Sequence, residues 1–128
     1  MLTGTESVNI AAHLPAQAKS QPDALAVVVQ KPAGHAYDSW TSRQLNEESD
    51  RIAKGLERIG IGRGVRTVLM VKPSLDFFAV TFALFKVGAV PVLVDPGMGL
   101  RNLKKCLDEA EPEAFIGIHK AHVARVLL

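Results

Sequence analysis

The chain has a single cysteine, Cys106, so no intramolecular disulfide can form. It also lacks a charge of one dominant sign. Fifteen Lys and Arg against 13 Asp and Glu leave a formal net charge of +2. The basic residues are scattered, so the electrostatic footprint of a nucleic-acid binder is missing. The adjacent pair Lys104 and Lys105 reads as a solvated helix face. The opening residues, MLTGTESVNI, show neither the basic n-region nor the apolar h-region of a signal peptide. With the lone thiol, this points to the reducing cytoplasm. No uninterrupted apolar run is long enough for a membrane span: FFAVTFALFKVGAVPVLV, 77–94, comes nearest, but Lys86, Gly88 and Pro91 break it. The pattern G-x-x-x-x-G-K-[ST] of one large class of phosphate loops is also missing.

What remains is one domain's worth of chain, 128 residues of which 48% are hydrophobic and 22% charged, enough to build a core. Asn9 can cap a short helix holding Ile10, Ala11, Leu14 and Ala18, with Pro15 expected to kink or end it. ALAVVVQ, 24–30, reads as a strand. A turn with Pro32 and Gly34 follows, and then an extended piece from Tyr37 to Thr41. In WTSRQL, Thr41 and Gln44 have the spacing of a capping box, and Trp40 can staple against Leu45. The following helix should turn Leu45, Ser49, Ile52, Leu56 and Ile59 inward and Glu47, Glu48, Asp50, Arg51, Lys54 and Glu57 mostly outward, ending at Gly60. Next come a strand at 67–71 and a helix begun by Pro73-Ser74. That helix is apolar nearly all round until Gly88, as a helix covered on most sides would be. VPVLV, 90–94, is a strand whose Pro91 belongs near its start or on a weakly paired side. A helix at 99–110 should face Leu100, Leu103 and Leu107 inward, with Cys106 beside them as a small packed hydrophobe. Strand AFIGI, 114–118, is followed by a helical start in which Val123, Val126 and Leu127 are apolar. From Val68 onward strand and helix alternate with short connections, the pattern of right-handed βαβ units in a parallel sheet with helices on both faces. The apolar face at the end is unfinished, so the chain is expected to be a fragment of something longer.

Two glycine-rich turns test for phosphate binding. GIGRG, 60–64, lies where a helix ends and a strand begins, so the carbonyl end of the helix faces it, and anions bind at the opposite end. DPGMGLRN has the correct order, strand to turn to helix. Yet Asn102 stands where the third glycine of G-x-G-x-x-G belongs, Asp95 sets a carboxylate beside the site, and AFIGI is followed by His119 and Lys120 rather than an acid. A corner is the simpler reading, and a Rossmann-type oxidoreductase half rests on residues 94–102 alone. His119 and His122 are spaced as two metal ligands could be, without an acid or thiol nearby to complete a set, and His13 and His35 have no evident partners. Ser74 with Asp76 and Ser49 with Asp50 lack a positioned His; helix capping by Ser74 and a solvated face for Asp50 account for them.

Residues 37–97 carry a resemblance. The helix stripe leading to Gly60, the turn to Gly64, the strand Thr67 to Val71, the apolar helix ending in Gly88-Ala89-Val90 and the strand reaching Pro96 are similar in order and wording to the amino-terminal region of the acyl-adenylate-forming enzymes, the AMP-binding or acyl-CoA synthetase superfamily. Val65 departs from the acidic residue usual after the second glycine. PSLDFFAVTFALFKVGAVPVLVDPGMG is most similar to the long-chain fatty acid ligases and the β-lactone synthetases of bacterial olefin biosynthesis.

The resemblance implies an incomplete part of a larger adenylating-enzyme domain, with 1–36 as leading helix and first strand and 37–128 as alternating helix and strand units. It implies a parent that uses ATP and Mg²⁺ to convert a long-chain carboxylic acid to acyl-AMP, and then to acyl-CoA, with CoA, or to a β-lactone. The Ser/Thr/Gly-rich loop ending in Pro-Lys-Gly and the other hallmark motifs do not occur in these residues. No catalytic, cofactor-binding or metal residue is therefore assigned, and the chain alone is expected to be inactive. Its partner is the remainder of the parent polypeptide, with self-association of the fragment as a further expectation. The alternative is a stand-alone α/β module that binds a small ligand at the strand ends.

Overall fold

The computed structural model describes residues 8–120, 122 and 123. In chain order they form α1 (His13–Ser20), β1 (Leu25–Gln30), β2 (Tyr37–Thr41), α2 (Ser42–Arg58), β3 (Arg66–Met70), α3 (Leu75–Lys86), β4 (Val90–Leu93), α4 (Leu100–Ala110) and β5 (Ala114–Gly117), with short 3-10 turns at Ile10–Ala12 and Pro96–Met98. The apolar positions Val126 and Leu127 lie outside the described residues.

Local chemistry sets most of these boundaries. Asn9 accepts a hydrogen bond from the Ala11 amide at 2.9 Å, and its side-chain amide donates to the Phe85 carbonyl, which ties the leading segment to α3. Pro15 does not end α1, one of the two outcomes its sequence position suggested. It is the third residue of that helix, where the missing N–H would have had no intrahelical partner. The capping box forms: the Gln44 amide donates to Thr41 Oγ1 at 3.2 Å, and the Thr41 amide to Gln44 Oε1 at 2.9 Å. Trp40 and Leu45 meet in one apolar cluster, as a staple requires.

Along α2, Leu45, Ser49 and Leu56 are buried and Ile52 is half-buried, but Ile59 departs from the expected stripe and is 73% exposed. It is the residue at which the helix ends, so the helical spacing no longer places it. Gly60 then takes φ +87°, the Gly60 amide donates to the Glu57 carbonyl and the Ile61 amide to the Leu56 carbonyl. This double closure folds Ile61 back into the cluster that holds Leu56.

β1 and β2 form an antiparallel pair, while the second sheet has the order β4-β3-β5 with all strands parallel. Central β3 is closed on both faces: Thr67 and Val68 are completely buried and Leu69 is 2% exposed. The step from β3 to β4 moves to one side of the sheet and the step from β4 to β5 crosses back over β3. With the right hand that such connections take, two steps in opposite directions put α3 and α4 on opposite faces. Pro91 is the second residue of β4, an edge strand that needs fewer donors.

Two apolar clusters share α2 and α3. One joins Leu56, Ile61, Leu69 and Leu84; the other joins Leu14, Val27, Leu45 and Ala79. The helices pack along each other, and buried Ser49 and Ala53 on α2 with Ala79 and Ala83 on α3, each pair one turn apart, permit the close approach. Among the described residues no helix is long and apolar enough to cross a membrane. Lys86, which interrupts the apolar run, lies against α2. Its ammonium donates to the Asn46 carbonyl at 3.1 Å, to Asn46 Oδ1 at 2.8 Å and to Asp50 Oδ1 at 2.7 Å. Asp50 is thus an ion-pair partner as well as a solvated residue.

Candidate functional site

Parallel pairing brings the carboxyl ends of β3, β4 and β5 to one end of the sheet, where open α/β sheets generally hold ligands. There the chain leaves an open cleft of about 790 Å³. Leu69, Val71, Phe77, Leu93 and Leu103 supply its apolar walls, while Lys72, Asp95 and Lys120 are its charged lining. The exposed Lys72 and Lys120 ammonium groups have no ion pair or hydrogen bond among the described residues. Leu100 was expected to point inward. As the first residue of α4 it stands at the cleft mouth, beyond the turns whose face packs on the sheet, and is 64% exposed. The Asp95 carboxylate is turned onto its own Gly97 amide, and an apolar cleft whose other charged edges are two cations suits an apolar group that carries negative charge. Among the described residues, no three His, Cys, Asp or Glu side chains are grouped to hold a metal ion.

The turn between β4 and α4 passes beside this cleft. The Gly97 amide, the first donor a phosphate would use, donates instead to Asp95 Oδ1 at 2.8 Å. A Cβ at residue 97 would come within 3.2 Å of the same oxygen. Gly99 has φ 84° and ψ 156°, a backbone region essentially confined to glycine, and Asn102 donates to the Met98 carbonyl at 3.0 Å. The turn thus carries its own anion and spends its donors on itself. It is a corner between sheet and helix, and the dinucleotide reading is not supported by its geometry. GIGRG is likewise a helix stop, with the Gly60 and Ile61 amides turned to the end of α2 and the Gly64 amide to the Gly88 carbonyl.

The remaining candidates do not converge on this cleft. Ser74 accepts from the Phe77 amide at 3.3 Å and donates to the Lys72 carbonyl, which is the capping role expected of it. Buried Ser49 donates to the Asn46 carbonyl at 3.0 Å. The His122 ring stands edge-on to Phe115 with centroids 5.0 Å apart, and His13, His35 and His119 are exposed. Cys106 is exposed rather than packed. The buried stripe of α4 runs through Leu103 and half-buried Leu107, and residue 106 lies about 100° round the helix from residue 107. In the sequence Lys72 was not singled out, and Lys120 was noted only as standing where an acid was wanted. The signal that could have found them is their place: each follows the apolar run of a strand, at the end where parallel strands converge.

The profile of the AMP-binding enzyme family matches residues 14–127. The olefin β-lactone synthetase of Stenotrophomonas maltophilia is 59% identical over 126 residues, covering 94% of this chain and 23% of that protein. The olefin β-lactone synthetase of Xanthomonas campestris is 55% identical over 131 aligned positions, covering 97% of this chain and 23% of that protein. The chain therefore spans about 23% of the length of these curated relatives. Among solved structures, the inhibitor-bound N-terminal domain of FACL13 from Mycobacterium tuberculosis has a TM-score of 0.78 over 93% of this chain and 29% of its own, at 24% identity, a likeness of fold alone. The family profile covers nearly the whole α/β unit, including the cleft and the corner beside it, and the chain belongs to the AMP-binding enzyme family.

Proposed function

We propose that the chain is the amino-terminal portion of an ATP-dependent ligase that activates a long-chain carboxylic acid. The observation that carries this reading is the 59% identity to an olefin β-lactone synthetase over 94% of the chain. In the proposed reaction a carboxylate oxygen attacks the α-phosphorus of ATP, the bond to the β-phosphate oxygen breaks, and pyrophosphate leaves. The acyl-AMP then passes its acyl group to a thiol such as CoA or to an internal hydroxyl, with AMP as leaving group. The names of the two bacterial relatives favour the internal hydroxyl, which closes a β-lactone. The described residues group no carboxylates for Mg²⁺, and the Gly97 amide is taken by Asp95, so Mg²⁺ and the phosphates of ATP are assigned to the remainder of the parent. This chain contributes scaffold: a doubly covered sheet and a corner that hold the strand ends in place. A cytoplasmic location suits the exposed thiol of Cys106, which a reducing compartment keeps free.

Carboxylate-dependent pyrophosphate release tests the reading. The full-length gene product should release pyrophosphate with a long-chain 3-hydroxy acid, and the 128-residue chain should release none. Turnover by the short chain would show that its chemistry is not supplied from elsewhere. The cleft itself favours a second reading, a stand-alone module that binds a small ligand at the strand ends. A melting shift of the short chain with such a ligand, and no turnover by the full-length product, would put that reading first.

A further inference from the structure

The two ends of the parallel sheet differ in how far they are closed. At the amino ends of the strands several polar groups are paired. The Gly64 amide donates to the Gly88 carbonyl at 2.8 Å, the Val90 amide to the Val65 carbonyl at 2.9 Å, and Arg66 binds the Glu111 carbonyl and faces Glu113 at 3.4 Å. At the carboxyl ends the reverse holds. Leu93, Leu100 and Ile118, from three separate segments, are 59%, 64% and 38% exposed around one cleft; Lys72 and Lys120 stand there without partners among the described residues, while the third charged group, Asp95, accepts from its own Gly97 amide. Contiguous exposed apolar surface with a charged margin is what a docking surface looks like. Leu93 and Leu100 come from different segments and are each more than half exposed at the cleft. A polypeptide segment can cover both.

We infer that this cleft is the seam at which the remainder of the parent polypeptide docks, through an apolar segment that sets a carboxylate over Lys72 and Lys120. The inference rests on the proposed parent, of which the curated relatives are about four times as long as the aligned part. Complementary charge fixes the register of the covering segment, and the leucines supply the area it buries.

Zero-length carbodiimide coupling of the full-length polypeptide, read by peptide mass spectrometry on a mixture of ¹⁵N-labelled and unlabelled protein, tests the seam. The expected product is an intramolecular amide between Lys72 or Lys120 and an Asp or Glu outside residues 1–128. Coupling only within those residues, only between labelled and unlabelled copies, or none at all would overturn the inference. A second measurement uses Leu100→Glu. It should lower the melting midpoint of the full-length polypeptide by about 4 °C or more, and leave the 128-residue chain, where Leu100 is already exposed, within about 1 °C. Equal shifts in both would count against the seam. A melting shift of the short chain with sodium myristate, without the amide in the full-length protein, would give the cleft to a small amphipathic anion instead. Pyrophosphate release by the same full-length protein separates the two proposals: the amide without turnover keeps the seam and removes the ligase reading, and turnover without the amide does the converse.

Discussion

Glu48 and Arg51 lie one turn apart on the outer side of α2, and the guanidinium binds both carboxylate oxygens. That hydrogen bonding, with a smaller contribution from the nearby positive charge and a partly opposing one from burial, holds the Glu48 carboxyl below its ordinary value of 4.5. A carboxyl whose folded value is lowered favours the folded state at pH values above its unfolded one, and the contribution is lost as pH falls through the folded value. The pair is largely solvated, so salt screens it and its effect on overall stability is small. Side-chain carboxyl NMR should therefore give Glu48 a midpoint below 4.5, and Arg51→Gln should move it back up; a midpoint unchanged by the substitution would remove Arg51 as the cause. Both residues were legible in the sequence as outward-facing. Their pairing was not, because an i,i+3 spacing permits contact while the side-chain torsions decide it. The Thr41 and Gln44 capping box was fully legible, since both of its bonds close within four residues.

At the scale of elements, α2 and α3 hold the molecule together and Lys86 joins them. Its side chain is only 12% exposed, yet every hydrogen of its ammonium has an acceptor on α2. Removing it leaves the Asn46 acceptors partly unsatisfied in a half-buried place, at a cost of about 1 to 3 kcal/mol. Lys86→Ala should lower the urea midpoint of unfolding accordingly, and Lys86→Met, which keeps the packing of the stem, should lose less. An unchanged midpoint in Lys86→Ala would show that the contact contributes nothing. In the sequence Lys86 read as a break in an apolar run; its partners lie 36 and 40 positions away, beyond any local pattern. The same limit explains Leu100, whereas Ile59 stands where its helix ends and Cys106 lies off the buried stripe of α4. Periodicity states which residues share a helix face, but what covers that face is decided by the neighbouring elements.

For the whole molecule, burial is uneven. Thr67 and Val68 in the centre of β3 are fully buried, whereas Leu25, Val28 and Tyr37 on the two-stranded β1 and β2 pair are more than half exposed. Helices cover this pair on one face only, and local opening follows the exposed backbone of the other. Amide exchange of the 128-residue chain should be slowest in β3 and fastest among the strands in β1 and β2. Equal protection in the two sheets would mean that the chain opens only as one unit.

The sequence by itself determined the order and kind of the elements, the caps that start and stop them, and the α/β class. Each depends on neighbours within a few residues or on a repeat along one strand or helix. It also carried the family resemblance, because that likeness is written in the order of the same elements. Only the tertiary structure decided that the turn at Asp95 turns its carboxylate onto its own Gly97 amide, that Lys86 is clasped by α2, and that Lys72 and Lys120 meet the exposed leucines at one end of the sheet. Those groups lie far apart along the chain or depend on side-chain direction, and parallel pairing brings them together through crossovers whose destination no local pattern encodes.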